Sequence, residues 1–558
     1  MWQPAPSPAP VGAFPHPRVA DEPKPVRHGV MGTTLAILEA LIPGAVRRGD
    51  ATISDVSDDS RAAGAGMAFC ALGGRNADGH EYAAAAVAAH TPALIVERFL
   101  DLPVSQLRVP NVRRALGTIA AAVHEWPSER LRLIAITGTD GKTTTAHFVE
   151  QCLAAQNRRT GSIGTVAAGA AGRKLPSHAT TPEAPELHRL LAAMAADGVE
   201  DVVMEVSSHG LDLGRVSGLS FDVAVFTNLS PEHLDHHKTM SRYWDAKSRL
   251  FDQAQSRFAV IGVDDEWGAR LSSIVDIPHI TFGRTPHADA VIQAITTDLT
   301  GTTALVRWRG EQFRLTTVVP GEVNALNATA AFLAANALGV PSEQAIRALA
   351  SAPGVPGRFE RVAEGQPFLV VVDYAHTAAS LTALVRTARS VVSRTNRVIV
   401  VLGARGGRYR DKRAALGRAA AVSDLVIITT DSPGGEDPAA IAGDILRGCS
   451  TTTGGKTTVE LDRGAAIRLA ISLARPGDAV LIVGRGHEQY YEVGNTRIAL
   501  DDRETARAVL KALWPPARAE SEVPATVLPF RLREARAAVD VVWTAARSGA
   551  GSRERPDE

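Results

Sequence analysis

The segment GTDGKTT, residues 138–144, has the residue types of a phosphate-binding loop. It follows the apolar run LRLIAI and precedes a stretch of helical composition, so a strand, a turn and a helix are predicted in that order. Glycines let backbone N–H groups approach phosphate oxygens, Lys142 can neutralise the β- and γ-phosphates, and the Thr143 hydroxyl can bind Mg²⁺. Ile136 stands where the longer form of this loop has its first glycine. The segment therefore predicts a shortened nucleotide-binding loop, with a plain glycine turn as the alternative.

Two motifs with acidic and histidine residues follow the next predicted strands. Glu205 lies in MEVSSHGL and His233 lies in TNLSPEHLDHH, and each motif comes with an apolar run typical of a buried strand. Because ligands gather at the carboxyl ends of parallel strands, these two side chains could converge on a metal ion beside the phosphates. A carboxylate suits Mg²⁺, whereas histidine is a less usual ligand for it. Taken alone, His233 is more typical of a core or capping residue.

Several other motifs carry weaker signals. Lys247, in YWDAKSRLF, lies on a predicted helix face, where lysine is ordinarily solvated. Asn324 and Asn327 are one helical turn apart, a spacing that also occurs where asparagines cap a helix. The motifs PGRFERV, VVDYAHT and GRGHEQY place further polar residues around predicted strand ends of the C-terminal half, namely Arg358, Asp373, His376 and Glu488.

The elements that must position these residues alternate between strand and helix. Apolar runs such as DVVMEV, FDVAVF, LVVVD and AVLIV are separated by helical stretches, which predicts α/β domains with mostly parallel sheets. We predict a disordered proline-rich leader at 1–30, an N-terminal domain at 31–131 and a central domain at 132–355. A separate Rossmann-like domain is predicted at 356–515, followed by an Arg- and Ala-rich tail, partly helical, at 516–558.

The bulk composition excludes several classes of protein. The chain has 558 residues, too many for one core, and Lys+Arg and Asp+Glu are both 60, so neither a nucleic-acid binder nor a polybasic membrane protein is expected. No apolar run reaches membrane-spanning length, and no basic segment followed by an apolar one marks a secretory signal. The three cysteines are scattered without metal-ligand spacing, which fits a reducing cytoplasm.

In combination and in order, the motifs resemble those of the Mur ligase family of ATP-dependent amide-forming ligases. The resemblance runs from about Gly32 to Leu513 and includes DDSR, NADGHEY, HATTPEA, MEVSSHGL, VVDYAHT and GRGHE. It implies a three-domain α/β architecture: an N-terminal domain for the UDP-linked substrate, a central P-loop ATPase-like domain, and a Rossmann-like C-terminal domain for the incoming amino acid. The most similar branch adds a diamino acid to UDP-N-acetylmuramoyl-L-Ala-D-Glu in peptidoglycan synthesis, through an acyl phosphate, giving ADP and phosphate. ATP and Mg²⁺ are implied, in a cytoplasmic enzyme expected to be a monomer.

The resemblance also implies roles for individual residues. Lys142 would hold the phosphates, Thr143, Glu205 and His233 would serve Mg²⁺, and Lys247 would be a carbamylated lysine (N6-carboxylysine) that steadies a second Mg²⁺. The implied ATP contacts are Gly138, Thr139, Asp140, Gly141, Lys142, Thr143, Thr144, Asn324, Asn327, Arg358 and Asp373. The implied contacts to the UDP-linked substrate are Ser60, Arg61, Thr180, Thr181, Ser208 and Arg215. The implied amino-acid contacts are Arg408, Asp431, Ser432, Pro433, Gly434, Gly484 and Glu488.

The sequence departs from the family pattern at three informative positions. Asp140 replaces the usual asparagine, which adds a negative charge near the phosphates, and Leu213 replaces a substrate-contacting glutamine. The loop Asp431-Ser432-Pro433-Gly434 has glycine where relatives that use meso-diaminopimelate carry arginine. Because that arginine would clamp the distal carboxylate of this amino acid, we expect L-lysine, L-ornithine or a similar diamine to be favoured instead.

Two other functions remain as alternatives at this point. A related ligase acting on a different carboxylate, such as a folate, would share the ATP motifs, although DDSR argues for a UDP-sugar. A non-catalytic nucleotide-binding scaffold that interacts through its Arg-rich tail would not need the phosphate, metal and lysine positions to be filled.

Overall fold

A computed structural model describes most of the chain between Gly32 and Trp514. The described residues are 32–74, 77–166, 168–170, 173–175, 179–407, 410–450, 456–494 and 496–514. They form two compact units, of which the first contains the described residues up to Phe359 together with Thr377–Val391 and residues 410–412. The second contains Glu360–His376, Val392–Gly407 and the described residues from Arg413 onward.

The N-terminal part of the first unit is built on a five-stranded sheet of order β2-β7-β6-β5-β4. Strands β4 to β7 are parallel to one another and β2 is antiparallel to β7, while β1 and β3 form a separate pair. The strands are β1 Thr33–Thr34, β2 Val46–Arg48, β3 Thr52–Ile53, β4 Asp55–Ser57, β5 Met67–Cys70, β6 Ala93–Val96 and β7 Ser105–Arg108. The helices are α1 Leu35–Leu41, α2 Ala83–Ala88 and α3 Val112–Val123.

The rest of the first unit is organised by an eleven-stranded sheet of order β11-β10-β9-β12-β8-β13-β14-β15-β16-β17-β18. Its centre is parallel, and β8, β12 and β13 there are continuous apolar runs because such strands are covered on both faces. The strands are β8 Arg132–Thr137, β9 Thr160–Ile163, β10 Ala168–Ala170, β11 Arg173–Leu175, β12 Asp201–Glu205, β13 Val223–Phe226, β14 Ala259–Gly262, β15 His279–Gly283, β16 Ala290–Asp298, β17 Gly301–Trp308 and β18 Glu311–Thr317.

Nine helices accompany this sheet in the described part of the first unit. They are α4 Lys142–Ala154, α5 Ala184–Ala196, α6 Ser208–Asp212, α7 Leu234–His237, α8 Met240–Ser248, α9 Glu266–Ile274, α10 Glu322–Ala337, α11 Ser342–Ser351 and α12 Ala378–Val391. The order β12-β8-β13 places β8 between two strands that come later in the chain. The carboxyl ends of these three strands therefore meet at one edge, which is where a doubly wound sheet binds its ligand.

The second unit has a six-stranded sheet of order β19-β20-β24-β21-β22-β23 and a separate hairpin of β25 and β26. From β20 to β23 the neighbouring strands are parallel. The strands are β19 Glu360–Arg361, β20 Leu369–Asp373, β21 Val398–Leu402, β22 Leu425–Ile428, β23 Lys456–Val459, β24 Ala479–Val483, β25 Tyr490–Val493 and β26 Thr496–Ala499. The helices are α13 Asp411–Ala420, α14 Pro438–Cys449, α15 Arg463–Leu473 and α16 Asp502–Leu513.

The predicted α/β class with parallel sheets is confirmed. The proposed leader at 1–30 and tail at 516–558 lie outside the described residues, and the domain boundaries stay predictions. Among the described residues, no helix combines the length and apolar character needed to cross a bilayer.

The core of the second unit encloses an ion pair. The guanidinium of Arg463, on α15, contacts both carboxylate oxygens of Asp502, on α16, at 2.8 and 2.7 Å, and it also donates to the carbonyl of Val483 at 2.9 Å. Both side chains are at most 1% exposed. The pair therefore fastens α15 and α16 to the end of β24.

We predict that Asp502→Ala destabilises the folded chain by about 3–5 kcal/mol, because it leaves the buried Arg463 charge without its counter-ion. Chemical denaturation followed by circular dichroism measures the change. Glu504→Ala is the matched control on the same helix, since that side chain is 70% exposed and its loss should change stability by less than about 0.5 kcal/mol. Equal effects of the two substitutions would contradict this account of the core.

Candidate active site

The turn between β8 and α4 is shaped by two glycines with positive φ. Gly138 has a φ of 144° and Gly141 a φ of 86°. A Cβ atom on Gly138 would lie 1.9 Å from the Thr227 hydroxyl oxygen, and one on Gly141 would lie 2.3 Å from Oδ1 of Asn327. Because neither position has room for a side chain, the turn stays narrow. Helix α4 begins directly after it, at Lys142. The free N–H groups of the first turn of α4 then form the anion-binding end predicted from the sequence.

Residues after β13 hold this turn from the neighbouring strand. Asn228 accepts a hydrogen bond from the backbone N–H of Asp140 at 3.0 Å, and its amide donates to the Asp140 carbonyl at 3.1 Å. The Thr227 hydroxyl donates to the same carbonyl at 2.7 Å. The Asp140 carboxyl is itself in a buried setting, which raises its pKa, while the charges of Lys142 and Arg358 oppose this shift. Thr227 and Asn228 thus hold the loop through its backbone.

Two lysines meet at the start of the loop. Lys142 Nζ donates to the carbonyls of Gly138 and Thr139 at 3.0 and 2.8 Å, and Lys247 Nζ donates to the Gly138 carbonyl at 2.8 Å. Burial lowers the pKa of both amines. For Lys247 the shift is large, because the side chain is 1% exposed and the positive charge of Lys142 adds to the effect of desolvation. The structure thus brings together the two lysines that the sequence placed more than a hundred positions apart.

The carboxylate of Glu205 links three segments at the end of β12. Its Oε2 accepts from the Thr143 hydroxyl at 2.9 Å and from the Thr165 hydroxyl at 3.2 Å, and its Oε1 accepts from the Thr165 N–H at 2.7 Å. The side chain is 2% exposed. Glu205 and Thr143 therefore share one hydrogen bond, so two of the residues that the resemblance assigns to Mg²⁺ lie side by side.

Arg358 and two asparagines complete this side of the loop. Arg358 donates to the Thr143 hydroxyl oxygen at 3.0 Å. On α10, the Asn327 amide donates to Oδ1 of Asn324 at 3.1 Å, and Asn327 Oδ1 accepts from the Thr145 hydroxyl at 3.3 Å. Asn324 and Asn327 are both buried within the helix, so the capping alternative for this pair is wrong. They fasten α10 to α4.

His233 lies at the start of α7 in a left-handed conformation, with a φ of 56°. Its ring packs against those of His209, at 4.7 Å between centroids, and Tyr243, at 6.2 Å. The Tyr243 hydroxyl lies 3.1 Å from that of Thr139, and the Lys247 ammonium lies 5.0 Å from the centre of the Tyr243 ring. Tyr243 therefore connects His233 to the phosphate-binding loop.

The residues assigned to the UDP-linked substrate fall into two groups. Thr181 donates to the Glu205 carbonyl at 3.1 Å, and Arg215 donates to the Thr181 carbonyl at 2.9 Å. Thr180 lies 3.0 Å from the Thr165 hydroxyl, and the buried Ser208 hydroxyl makes no hydrogen bond with any described residue. These four side chains surround the Glu205 end of the site.

Ser60 and Arg61 form a second group in the N-terminal part of the unit. They belong to a short 3₁₀ turn, Ser60–Ala62, which Asp59 caps. The Arg61 guanidinium is 89% exposed and contacts the Asp59 carboxylate at 2.7 Å. An exposed arginine of this kind is accessible to a phosphate group.

In the second unit, the residues assigned to the amino acid form a set of paired charges. Arg405 contacts Glu488, and the buried Arg485 lies 3.5 Å from Asp431 and 3.8 Å from Glu488. Burial raises the pKa of Glu488, against the opposing effect of Arg405. A Cβ on Gly484, which has a φ of 104°, would lie 3.2 Å from the Asp431 carboxylate. The two acids that the sequence identified are thus balanced by two arginines that it did not.

The loop that contains Gly434 is held by backbone contacts. The Ser432 carbonyl accepts from the N–H of Gly406 at 2.9 Å, and the backbone of Pro433 lies so close to Gly406 that no Cβ fits there. Gly434 has a φ of 58°, its N–H donates to the Glu492 carbonyl at 3.2 Å, and its carbonyl accepts from Gly494 at 2.6 Å. The hairpin therefore fixes the loop in a left-handed turn that suits glycine.

Sequence reasoning missed several residues of both clusters. Thr165, Asn228 and Tyr243 contribute hydrogen bonds in the first unit, and Arg405 and Arg485 contribute charges in the second. Tyr243 stands four residues before Lys247 on α8, so helical spacing was the available signal for it, whereas Arg485 lies in the segment between β24 and β25 and had no such signal. Of the predicted residues, Arg408 lies outside the described part of the chain. Asp373 lies at the end of β20 in the second unit and accepts from the Ala375 N–H at 2.7 Å.

The donor set of the first unit fits a nucleotide with a hard divalent cation. Thr143 and Glu205 offer oxygen ligands, which Mg²⁺ prefers, and the glycine turn leaves backbone N–H groups for phosphate. The Lys142 ammonium is held over the loop by carbonyls that a phosphate could replace as its partners. The fold and this site define a nucleotide-dependent enzyme built around a P-loop.

Comparison with known proteins gives the family. The model of the Mur ligase middle domain matches residues 136–335, and that of the Mur ligase, glutamate ligase domain, matches residues 357–486. The UDP-N-acetylmuramoyl-L-alanyl-D-glutamate–2,6-diaminopimelate ligase of Solibacter usitatus is 42% identical over 487 residues, which are 86% of this chain and 98% of that protein. The enzyme of the same name from Streptomyces coelicolor is 39% identical over 501 residues, 88% of this chain and 98% of that protein.

A solved structure of a ligase with that name agrees in fold. It has a TM-score of 0.61 and 29% identity, and the match covers 87% of this chain and 99% of that one. The chain belongs to the Mur ligase family, as its motifs indicated, and it has the mixed α/β Mur ligase fold. It is accordingly an ATP-dependent, amide-forming ligase rather than a non-catalytic nucleotide-binding protein.

We predict that Gly141→Ala abolishes nucleotide binding, because its Cβ would collide with Asn327 in addition to the strain of a left-handed turn. Isothermal titration with ADP, together with thermal unfolding, measures both effects. Gly339→Ala is the matched control, since Gly339 has a similar φ of 81° but no atom within 4 Å of the added Cβ. Backbone strain alone should lower the free energy of unfolding of Gly339→Ala, by about 1–2 kcal/mol, and this variant should retain ADP binding. Normal ADP affinity in Gly141→Ala would refute the role given to this turn.

Proposed function

We propose that this chain joins a diamino acid to the D-glutamyl γ-carboxylate of UDP-N-acetylmuramoyl-L-Ala-D-Glu, with conversion of ATP to ADP and phosphate, in peptidoglycan synthesis. The observation that carries this proposal is the similarity to enzymes named for this reaction along nearly the whole described chain. The cluster of Lys142, Thr143, Glu205 and Lys247 supports it, because it provides the charges that the reaction needs. A cytoplasmic, monomeric enzyme is part of the proposal.

The proposed reaction has two steps. The γ-carboxylate attacks the γ-phosphorus of ATP, so that a C–O–P bond forms and the bond to ADP breaks. The neutral amine of the amino acid then attacks the carbonyl carbon of the acyl phosphate, loses a proton and expels phosphate. The protein contributes mainly positioning and charge neutralisation, because an anionic nucleophile must approach a polyanion.

Different residues of the first unit would bind the phosphates, the Mg²⁺ ion and the UDP-linked substrate. Lys142 and the N–H groups of the glycine turn would hold the phosphates. Thr143, Glu205 and His233 would hold Mg²⁺, which when bound neutralises phosphate charge. Thr180, Thr181, Ser208 and Arg215 would hold the peptide end of the UDP-linked substrate, and Ser60 and Arg61 its nucleotide end.

Lys247 is suited to carbamylation. Only a neutral amine reacts with CO₂, giving a carbamate and releasing a proton, and burial next to Lys142 keeps the pKa of Lys247 low. The carbamate would replace a neutral amine with an anion that the positive charge of Lys142 stabilises. It would also add an oxygen ligand for a second Mg²⁺.

We further propose that the amino acid is L-lysine, L-ornithine or a similar diamine with a single carboxylate, in contrast to the 2,6-diaminopimelate named for the relatives. Gly434 has no side chain to clamp a distal carboxylate. A different residue there is disfavoured by the left-handed backbone that Glu492 and Gly494 hold in place. Asp431 and Glu488 would face the side-chain ammonium, and Arg408 would bind the α-carboxylate.

Removal of CO₂ should distinguish the two lysines. Wild-type product formation should fall in bicarbonate-free buffer and recover when bicarbonate is returned, because the Lys247 carbamate is reversible. Lys142→Ala should lose about 10²–10³-fold in kcat with or without bicarbonate, because it removes a direct phosphate contact. Lys511→Ala, an exposed lysine on α16, is the control and should behave as wild type. Unchanged turnover by Lys142→Ala would refute the assignment of the phosphate-binding lysine.

A panel of amino acids offered with ATP, Mg²⁺ and UDP-N-acetylmuramoyl-L-Ala-D-Glu tests the reaction and its specificity together. Mass spectrometry should show L-lysine or L-ornithine in the product in preference to meso-diaminopimelate. A preference for meso-diaminopimelate would refute the specificity, whereas no product with any amino acid would refute the reaction.

The variant Gly434→Arg tests the cause of the specificity. It should raise kcat/KM for meso-diaminopimelate relative to L-lysine by about 10–100-fold, the range of one charge-assisted hydrogen bond. Gly435→Arg is the matched control, since it adds the same charge at the next position, where a side chain also meets open space. An equal gain in both variants would show that charge alone, and not position 434, sets the preference.

A further inference from the structure

A group of imidazole and carboxylate side chains lies on the helices α6 and α7, outside the set assigned to Mg²⁺. It consists of Asp212, the last residue of α6, and His236 and His237, the last two residues of α7. One donor atom from each of the three residues lies within 4.8 Å of the other two. The three donors therefore come from two short helices and face a common point.

The strongest sign that this group binds a ligand is an unsatisfied nitrogen. His237 is 4% exposed, and its Nε2 atom makes no hydrogen bond with any described residue. A buried polar atom without a partner costs about 1–3 kcal/mol, so native structures ordinarily provide one. The ring is also held in place, since it stacks on Tyr243 at 5.1 Å. A cation bound at the cluster would supply a partner for this ring.

The other two members contact each other, and the Asp212 carboxylate also pairs with Arg249 at 3.4 Å. His236 Nε2 lies 2.8 Å from a carboxylate oxygen of Asp212, with 13% and 35% of the two side chains exposed. They form the accessible side of the cluster, and His237 forms the buried side. The ring of His209 packs beside the cluster, with its centre 4.4 Å from that of His236 and 5.6 Å from that of His237.

The donor chemistry identifies the class of cation. Two imidazoles with one carboxylate are typical ligands of Zn²⁺, Co²⁺ or Ni²⁺, whereas Mg²⁺ takes oxygen ligands in a wide hydrated shell. Zinc binds nitrogen and oxygen donors at about 2.0–2.2 Å, so binding would draw the three donors closer together. None of the three residues belongs to the set proposed for Mg²⁺.

We propose that Asp212, His236 and His237 form a separate site for a borderline divalent transition metal, represented by Zn²⁺, with a water molecule free to take a fourth position. A cation there ties the end of α6 to the end of α7. His233 immediately precedes α7, and Ser208 is the first residue of α6, so the bound cation steadies the two helices that carry these residues of the candidate active site. The proposal does not depend on the amino acid or on the reaction proposed above.

Titration of chelator-treated full-length protein with Co²⁺ tests the site, because four-coordinate Co²⁺ with nitrogen and oxygen ligands has strong visible absorption. We expect one equivalent to bind in excess Mg²⁺ without nucleotide, Zn²⁺ to displace it, and Zn²⁺ to raise the unfolding temperature. His236→Gln and Asp212→Asn should each weaken binding at least about 10-fold, since even outer-shell partners of metal ligands cost about that much. Both side chains are partly exposed, so the variants should fold normally, and circular dichroism checks this.

His287→Gln is the matched control, because it removes an exposed histidine elsewhere on the same unit. It should bind Co²⁺ and Zn²⁺ as wild type does. The proposal is overturned if wild-type protein binds no cobalt with the visible bands, if Mg²⁺ displaces the cobalt, or if the cluster variants bind as tightly as His287→Gln. In each of those cases the cluster is only a hydrogen-bonded group.

Discussion

The catalytic half of this ligase depends on one buried carboxylate. Glu205 ends the β12 strand, and its two oxygens accept three hydrogen bonds, from the Thr143 hydroxyl and from the N–H and hydroxyl of Thr165. A buried carboxylate is tolerated only when it is paired in this way. The end of β12, the start of α4 and the segment after β9 are therefore held in register by a single side chain. The glycine turn keeps its shape because the strand before it, β8, pairs with β12, and the helix after it, α4, is hydrogen-bonded to Glu205.

The parts of this arrangement that sequence could predict are the local ones. The glycine turn, Lys142 and Thr143 follow one another in the chain, and their chemistry depends on the backbone between a strand and a helix. Glu205 was found because parallel strands end at the same edge of a sheet. The role of Lys247 came only from the family resemblance, and its contact with the Gly138 carbonyl was not predicted, because nothing in a helical lysine indicates that its amine is buried beside another amine.

The asparagines of α10 and the arginines of the second unit show where such prediction fails. Asn324 and Asn327 have the spacing of a cap, but the structure buries them against α4, and only the packing of two distant helices decides this. Asp431 and Glu488 were identified without the arginines beside them. Arg405 contacts Glu488 and Arg485 lies 3.5 Å from Asp431, so the charges of the two acids are nearly balanced.

In the specificity proposed above, Gly434 joins the choice of amino acid to backbone conformation. In a loop of ordinary conformation, one substitution could add an arginine and with it a clamp for a second carboxylate. Here the hairpin bonds of Glu492 and Gly494 hold residue 434 at a φ of 58°, where any other side chain costs about 1–2 kcal/mol. That strain is present whether or not a substrate is bound, so it would lower the stability of the folded chain without cancelling the gain from one charged hydrogen bond to the substrate. An arginine at position 434 would therefore change the preference at the expense of stability, unless the hairpin changed as well.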